Sequence, residues 1–179
     1  MPGMARKSKT PCEERSDDRL MDPSTDVAPI PPGYTSLTPF LVVDGARAAI
    51  EFYTAVLGAT VVDVMDGPDG TVAHAELDFG HGRLQLSDPN PKFDLVAAPG
   101  GTAVSHSTCL YCPDVDAVVQ RATERGAVVR EEVSTFVTGD RFGSFVDPFG
   151  QRWTVMTRVE DVSKEEADRR LAAWAAQNL

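Results

Sequence analysis

No stretch of the chain approaches the roughly 18 consecutive apolar residues that a membrane span needs. The basic residues near the start, Arg6, Lys7 and Lys9, lead into no apolar stretch, which argues against a secretory signal. A soluble cytoplasmic protein is the expectation. Positive charge is also short. Lys plus Arg number 17 against 27 Asp plus Glu, a formal net charge of −10. Nucleic acid and anionic membrane both demand a basic face, so neither is an expected partner. The acidic surplus permits a cationic ligand, but solubility alone accounts for it. Cysteine is scarce: Cys12, Cys109 and Cys112. An odd number without a signal excludes a disulfide scaffold. Cys109 and Cys112 have redox-motif spacing, but they lie in an apolar, strand-like run in which residues three apart face opposite sides. Redox pairs sit at helix starts, so two buried structural thiols are expected. Also missing are a Ser-His-Asp arrangement, a phosphate loop and a dinucleotide fingerprint. Gly80-His81-Gly82 reads as a turn.

What is present is enough apolar material, 42%, for a core. Residues 1–33 are rich in proline and charge and lack a periodic apolar pattern, and they read as a disordered tail within which Met21 is an alternative start. From Tyr34 the texture changes. Residues 37–43 read as a strand. Asp44 is placed to cap a helix over 46–57, in which Ile50, Tyr53 and Leu57 share a face and which Gly58 stops. Residues 59–65 form a second strand. Residues 72–79 alternate, with Ala73, Ala75, Leu77 and Phe79 opposed to His74, Glu76 and Asp78. Residues 83–87 alternate again. After a linker over 88–104 the pattern repeats: a strand at 108–112, a helix capped by Asp114 and ended by Gly126, then strands at 127–133, 142–146 and 153–156. Ser163 and Glu166 open a last helix as a capping box, with Ala167, Leu171, Trp174 and Ala175 in an apolar stripe.

The two halves match at an offset of 69: Leu41 with Leu110, Ala48 with Ala117, Gly70 with Gly139, Asp78 with Asp147, Arg83 with Arg152. A repeated order of elements outranks local propensity. The expected fold is α+β: two tandem βαβββ modules, 34–88 and 105–160, forming a curved mixed sheet around a central cavity, with a C-terminal helix over 161–179.

Several segments resemble the vicinal oxygen chelate superfamily, which includes glyoxalases, bleomycin-resistance proteins and extradiol dioxygenases. Asp44 through Phe52-Tyr53 to Leu57-Gly58 is similar to its first helix, and Asp147-Pro148-Phe149-Gly150 to its last turn. His74-Ala75-Glu76-Leu77, Gly139-Asp140-Arg141, Trp153 and Val159-Glu160-Asp161-Val162-Ser163 with Glu166 resemble the PhnB-like branch. The likeness runs over residues 35–174. It implies a small-molecule cavity, a homodimer and, in metal-dependent members, two ligands per module of His, Gln or Glu type. Counting from the repeat places those positions at Leu37, Gln85, Ser107 and Thr154, with His106 one residue from the third. Only Gln85 suits a metal, so no metal cofactor is expected at the customary site. A divalent ion held by His74, Glu76 and Gln85 is the alternative.

If the helices cover Leu84, Leu86, Trp153 and Val155, the opposite face carries Arg83, Gln85, Ser87, Arg152, Thr154 and Met156. The candidate ligand-binding residues are His74, Glu76, Arg83, Gln85, Ser107, Arg141, Phe145 and Thr154. Arg141 and Phe145 share one face of their strand, with its side undetermined. His74 beside Glu76 is either a polar pair lining the cavity or a proton-transfer pair. The expected function is metal-free binding of a small organic molecule. The alternatives are a metal-dependent lyase, isomerase or dioxygenase, and an interaction module with a vestigial cavity.

Overall fold

Apolar residues at every second strand position give each sheet one face to bury, and a helix after the first strand of each half covers it. The computed structural model describes residues 27–101 and 103–178. The first half comprises β1 (Phe40–Val42), α1 (Ala46–Phe52) continuing as a π-helical turn over Tyr53–Leu57, β2 (Thr60–Asp66), β3 (Val72–Asp78) and β4 (Arg83–Ser87). The second comprises β5 (Thr108–Tyr111), α2 (Val115–Glu124), β6 (Val128–Thr135), β7 (Asp140–Val146) and β8 (Arg152–Arg158), and α3 (Lys164–Asn178) follows. The strands form two four-stranded sheets of the same order, β1-β4-β3-β2 and β5-β8-β7-β6. In each, the first strand runs parallel to the last and the other neighbours are antiparallel. The α+β duplication expected from the offset is therefore present, and all these elements lie in one compact unit, Pro32–Leu179. The expected tail lies for the most part outside the described residues, as do Met21 and Cys12.

The helix starts explain how each half is closed. Asp44 does not cap α1. Gly45 holds the cap position at φ 84°, in the left-handed region, without a side-chain bond of its own. The acceptor comes from across the sheet: Asp88 Oδ1 takes the backbone N–H groups of Gly45 and Ala46, both at 3.0 Å, and its Oδ2 takes that of Val72 at 2.7 Å. In the second half the residue at the matching offset is Thr157, whose hydroxyl accepts from Val115 N at 2.9 Å and donates to Cys112 O at 2.9 Å. A carboxylate and a hydroxyl thus do the same job in the two halves. Asp114 adds the local cap that the sequence predicts, accepting from Ala117 N at 3.0 Å.

Two further details depart from the simple pattern. A bulge in the β2–β3 pairing turns Val72 into the core and Ala73 outward, so the expected alternation holds only from His74. The linker over 88–104 carries a 3-10 turn, Pro91–Phe93, closed by the Asn90–Leu95 bridge. At the other end of the chain, Ser163 Oγ accepts from Glu166 N at 3.3 Å, which is half of the expected capping box. Glu166 instead pairs with Arg169 and Arg170, and these hold its carboxyl well below the usual range. Trp174 sets its ring edge-on to Phe136 at 5.3 Å, so α3 packs on the β6–β7 hairpin. Gly139 in that hairpin has φ 93°, and a Cβ there would lie 2.5 Å from Glu160 O, so only glycine fits.

The halves are joined through one buried carboxylate. Asp147, 4% exposed, accepts Phe149 N and Gln151 N on Oδ1, at 3.0 and 2.8 Å. Its Oδ2 accepts the Tyr53 hydroxyl at 2.8 Å and Trp153 Nε1 at 3.0 Å. Burial raises the Asp147 pKa, and these donors oppose the rise. Burial and the neighbouring carboxylate push the Tyr53 pKa well above its ordinary 10.0. The rings of Phe52, Tyr53, Phe149 and Trp153 pack around this group.

Asp88→Ala, which leaves three backbone donors without their acceptor, is expected to cost about 2 kcal/mol or more in urea unfolding at pH 7, while Asp44→Ala stays within about 0.5 kcal/mol. Tyr53→Phe should cost about 1–3 kcal/mol at pH 7 by stripping a donor from a buried carboxylate. Because the folded pKa of Tyr53 is raised, its contribution is complete below the unfolded value and is lost as pH climbs above it. Urea midpoints measured at pH 9 and 11 should therefore fall less steeply in Tyr53→Phe than in the parent.

Candidate functional site

Strand register sorts the candidate residues by face. Phe40 pairs with Gln85, Gln85 with Glu76, Asp78 with Arg83, and Met65 with His74. These side chains share the face turned away from α1, while Leu41, Ala75, Leu77, Leu84 and Leu86 are buried on the other. In the second sheet Trp153 and Val155 are buried, and Arg152, Thr154 and Met156 stand opposite. The face assignment made from alternation is the observed one.

On the first polar face Glu76 is the hub. Arg83 Nη1 lies 3.2 Å from its Oε2, and Gln85 Nε2 donates to Oε1 at 3.3 Å. His74 Nε2 lies 3.5 Å from Oε1. Tyr34, which the sequence marks only as the first residue after the tail, completes the group. Its ring stacks on the Arg83 guanidinium at 4.4 Å, with its hydroxyl near enough to influence the ionisation of Glu76. That hydroxyl is the largest influence holding the Glu76 carboxyl below its ordinary range, with smaller help from His74, Gln85 and Arg83. A carboxylate so surrounded by donors is a fixed acceptor and a weak base. Phe40 flanks His74, ring centroids 5.9 Å apart.

On the second polar face Ser107 and Thr154 exchange a hydrogen bond at 2.8 Å. Arg152 donates to Glu131 Oε2 at 2.8 Å, and the fully buried Ser144 donates to the same oxygen at 2.5 Å. Among the described residues no hydrogen bond or ion pair joins this group to the Glu76 group. Arg141 and Phe145 belong to neither. Phe145 is 0% exposed in the core, and Arg141 makes a bidentate pair with Asp116 of α2 at 2.7 and 2.6 Å. Their shared face is the helix side of β7, which corrects their placement with the other candidates.

Two hollows of about 340 Å³ each border these faces. The first is lined by Leu37, Phe79, Arg83, Cys109, Tyr111 and Trp153, among others. The second is lined by Phe40, Val42, Val96, Val104, His106 and Arg152, among others. They are related by the repeat. Each takes the edge strand of one half together with the lead-in segment and the hairpin turn of the other, so Leu37, Arg83 and Leu110 in the first correspond to His106, Arg152 and Leu41 in the second. His74, Glu76 and Gln85 line neither. One central cavity is the expectation from the sequence; the structure has these two hollows instead, related by the offset of 69. What the offset does not reveal is Tyr34, whose counterpart position holds Ala103.

The customary metal positions can be tested against these contacts. Leu37 is 81% exposed and offers no donor. The Gln85 amide is turned to Glu76, and the Ser107 and Thr154 hydroxyls bond to each other. Among the described residues no three His, Cys, Asp or Glu side chains are grouped to hold an ion. This donor set does not fit the superfamily's metal. Nor does any described helix have the length and apolarity to cross a membrane.

The thiols differ from the expectation. Cys109 is exposed on β5 and opens on the first hollow, whereas Cys112 is half-buried with Sγ 3.8 Å from Thr157 Oγ1. β5 is an edge strand, so its apolar run does not ensure burial. In a Cys12→Ser background, native protein should show one fast thiol toward an aromatic disulfide reagent. Cys109→Ser should remove it, leaving Cys112 to react at least tenfold more slowly.

With this geometry in place, comparison with known proteins gives a consistent answer. Residues 34–155 match the Glyoxalase/Bleomycin resistance protein/Dioxygenase superfamily. An uncharacterised protein of Mycobacterium bovis is 37% identical over 136 residues, covering 73% of this chain and 88% of the relative. Among solved structures, protein PA1353 from Pseudomonas aeruginosa aligns with a TM-score of 0.58 and 23% identity, covering 70% of this chain and 99% of that one. The PhnB protein from Bacillus cereus aligns with a TM-score of 0.54 and 19% identity, covering 69% and 99%. Repeat, sheet order and sequence match agree: the chain belongs to the glyoxalase/bleomycin resistance protein/dioxygenase superfamily.

Proposed function

We propose that the protein binds a small organic molecule in the hollow between Arg83, Phe79, Tyr111 and Trp153, without the metal that many superfamily members use. The observation that carries this reading is the pairing of that hollow with a donor set already spent on itself. Three aromatic side chains supply apolar walls, and Arg83, held by Glu76 on its far side, supplies a placed polar group. This is the composition of an organic-ligand pocket, and the volume is at the small end of the usual range. At the customary ligand positions only Gln85 has metal-binding chemistry, and its amide serves Glu76. A cytoplasmic homodimer is the setting proposed for this activity, to be checked by light scattering on the purified protein.

The test is a thermal-shift panel of small organic compounds on protein purified without chelator or affinity metal, with metal content measured in parallel. Any ligand of the native state raises the melting temperature by mass action, about 2.7 kcal/mol at a hundredfold excess over Kd. The expected result is at least one compound that raises Tm by several degrees, equally with and without EDTA, and loses its effect in Phe79→Ala. Near-stoichiometric zinc, nickel, manganese or iron, with the ligand shift abolished by EDTA, would favour a metal-dependent lyase, isomerase or dioxygenase instead.

A further inference from the structure

Arg83 and Arg152 occupy equivalent places in the two halves, and each is paired with a glutamate on its own sheet. Among the described residues, only Arg83 of the two carries a ring. Tyr34 lies over its guanidinium at 4.4 Å, and the Glu76 carboxylate stands beside that guanidinium, Oε2 3.2 Å from Nη1. The chain path suits this contact. Gly33 takes φ +84°, and a Cβ there would come within 2.7 Å of Arg83 Nη2, so the backbone passes close against the guanidinium to deliver the ring. The segment is also lightly held. Among the described residues, no backbone hydrogen bond ties residues 33–38 to the sheet; the first is Gln85 N to Pro39 O at 2.9 Å. Thr35, Leu37 and Pro39 of the same segment line the first hollow. Moving the segment would therefore widen the first hollow beside Arg83.

A cation beneath the ring face with a carboxylate beside it is complementary to a phenol, whose ring meets the cation and whose hydroxyl can donate to the carboxylate. We propose that Tyr34 fills, from within the chain, a subsite for a phenolic ring, and that a phenolic group of the ligand takes its place on binding. The inference rests on the small-molecule reading above and names the ligand class of that site. Tyr34 is then a built-in competitor, and the apparent affinity for a phenolic ligand is reduced by the fraction of molecules in which the site is self-occupied.

The probe is para-cresol, the side chain of tyrosine as a free molecule, titrated by NMR into the full chain and into Tyr34→Ala. Binding at least tenfold tighter in Tyr34→Ala is expected. It should be weaker for toluene, which lacks the hydroxyl, and lost in Tyr34→Ala with Arg83→Gln. If Tyr34→Ala lacks a cooperative melt, Tyr34→Ser replaces it in the same comparison. Equal affinity in parent and variant, or a gain that survives Arg83→Gln, would overturn the proposal. Thermal-shift hits on the parent that bind equally well in both proteins would sink the displacement while leaving small-molecule binding intact.

Discussion

The carboxylate of Asp147 is a buried point at which the two halves meet. A buried charge is tolerated only when its lone pairs are satisfied, and here four donors converge on it from three directions. Two are backbone amides of its own turn, one is the indole of β8, and one is the phenol of Tyr53 in the other half. Tyr53 opens the π-helical turn that continues α1. The irregular helix, the tight turn and the aromatic packing around them thus serve a single electrostatic requirement. Breaking one partner of such a group costs more than the bond is worth, because the others remain desolvated.

The same position in the first half makes the contrast plain. Asp78 corresponds to Asp147 but is half-exposed: it accepts Gly80 N within its own turn at 2.6 Å and pairs loosely with Arg83 at 4.0 Å. Duplication supplied two identical frames, and burial gave one of the two aspartates a structural role. The clasps at the helix starts diverged in another way, with Asp88 and Thr157 reaching equivalent backbone amides by different chemistry. The frame conserves geometry, while the chemical means of achieving it vary between the halves.

Much of this was legible in the residues, and the parts that were not share a cause. Strand order, sheet faces and the pairing of Leu84 and Leu86 with the core follow from alternation and repetition, which are local signals. Asp114 could be named as a cap because its acceptor lies three residues away. Asp88 could not, because its partners lie 42 and 43 residues away. Phe145 and Arg141 were grouped with the ligand-binding candidates because alternation states that two residues share a face without saying which face the helix covers. Cys109 looked buried because an apolar run does not disclose that its strand is an edge. Tyr34 escaped notice because it opens the first module ahead of any periodic pattern, and its role exists only through stacking on Arg83.

The walls of the two hollows have a consequence for how such a chain can change. Residues 35–39 and 79–84 need residues 108–111 and Trp153 to enclose the first, and residues 40–42 need residues 103–106 and 150–152 to enclose the second. Neither module separated from its sibling would own a complete chamber. An ancestor with a single module could have enclosed such a space only by associating with a twin. Fusion into one polypeptide freed the paired chambers from staying identical, so one can specialise while the other drifts.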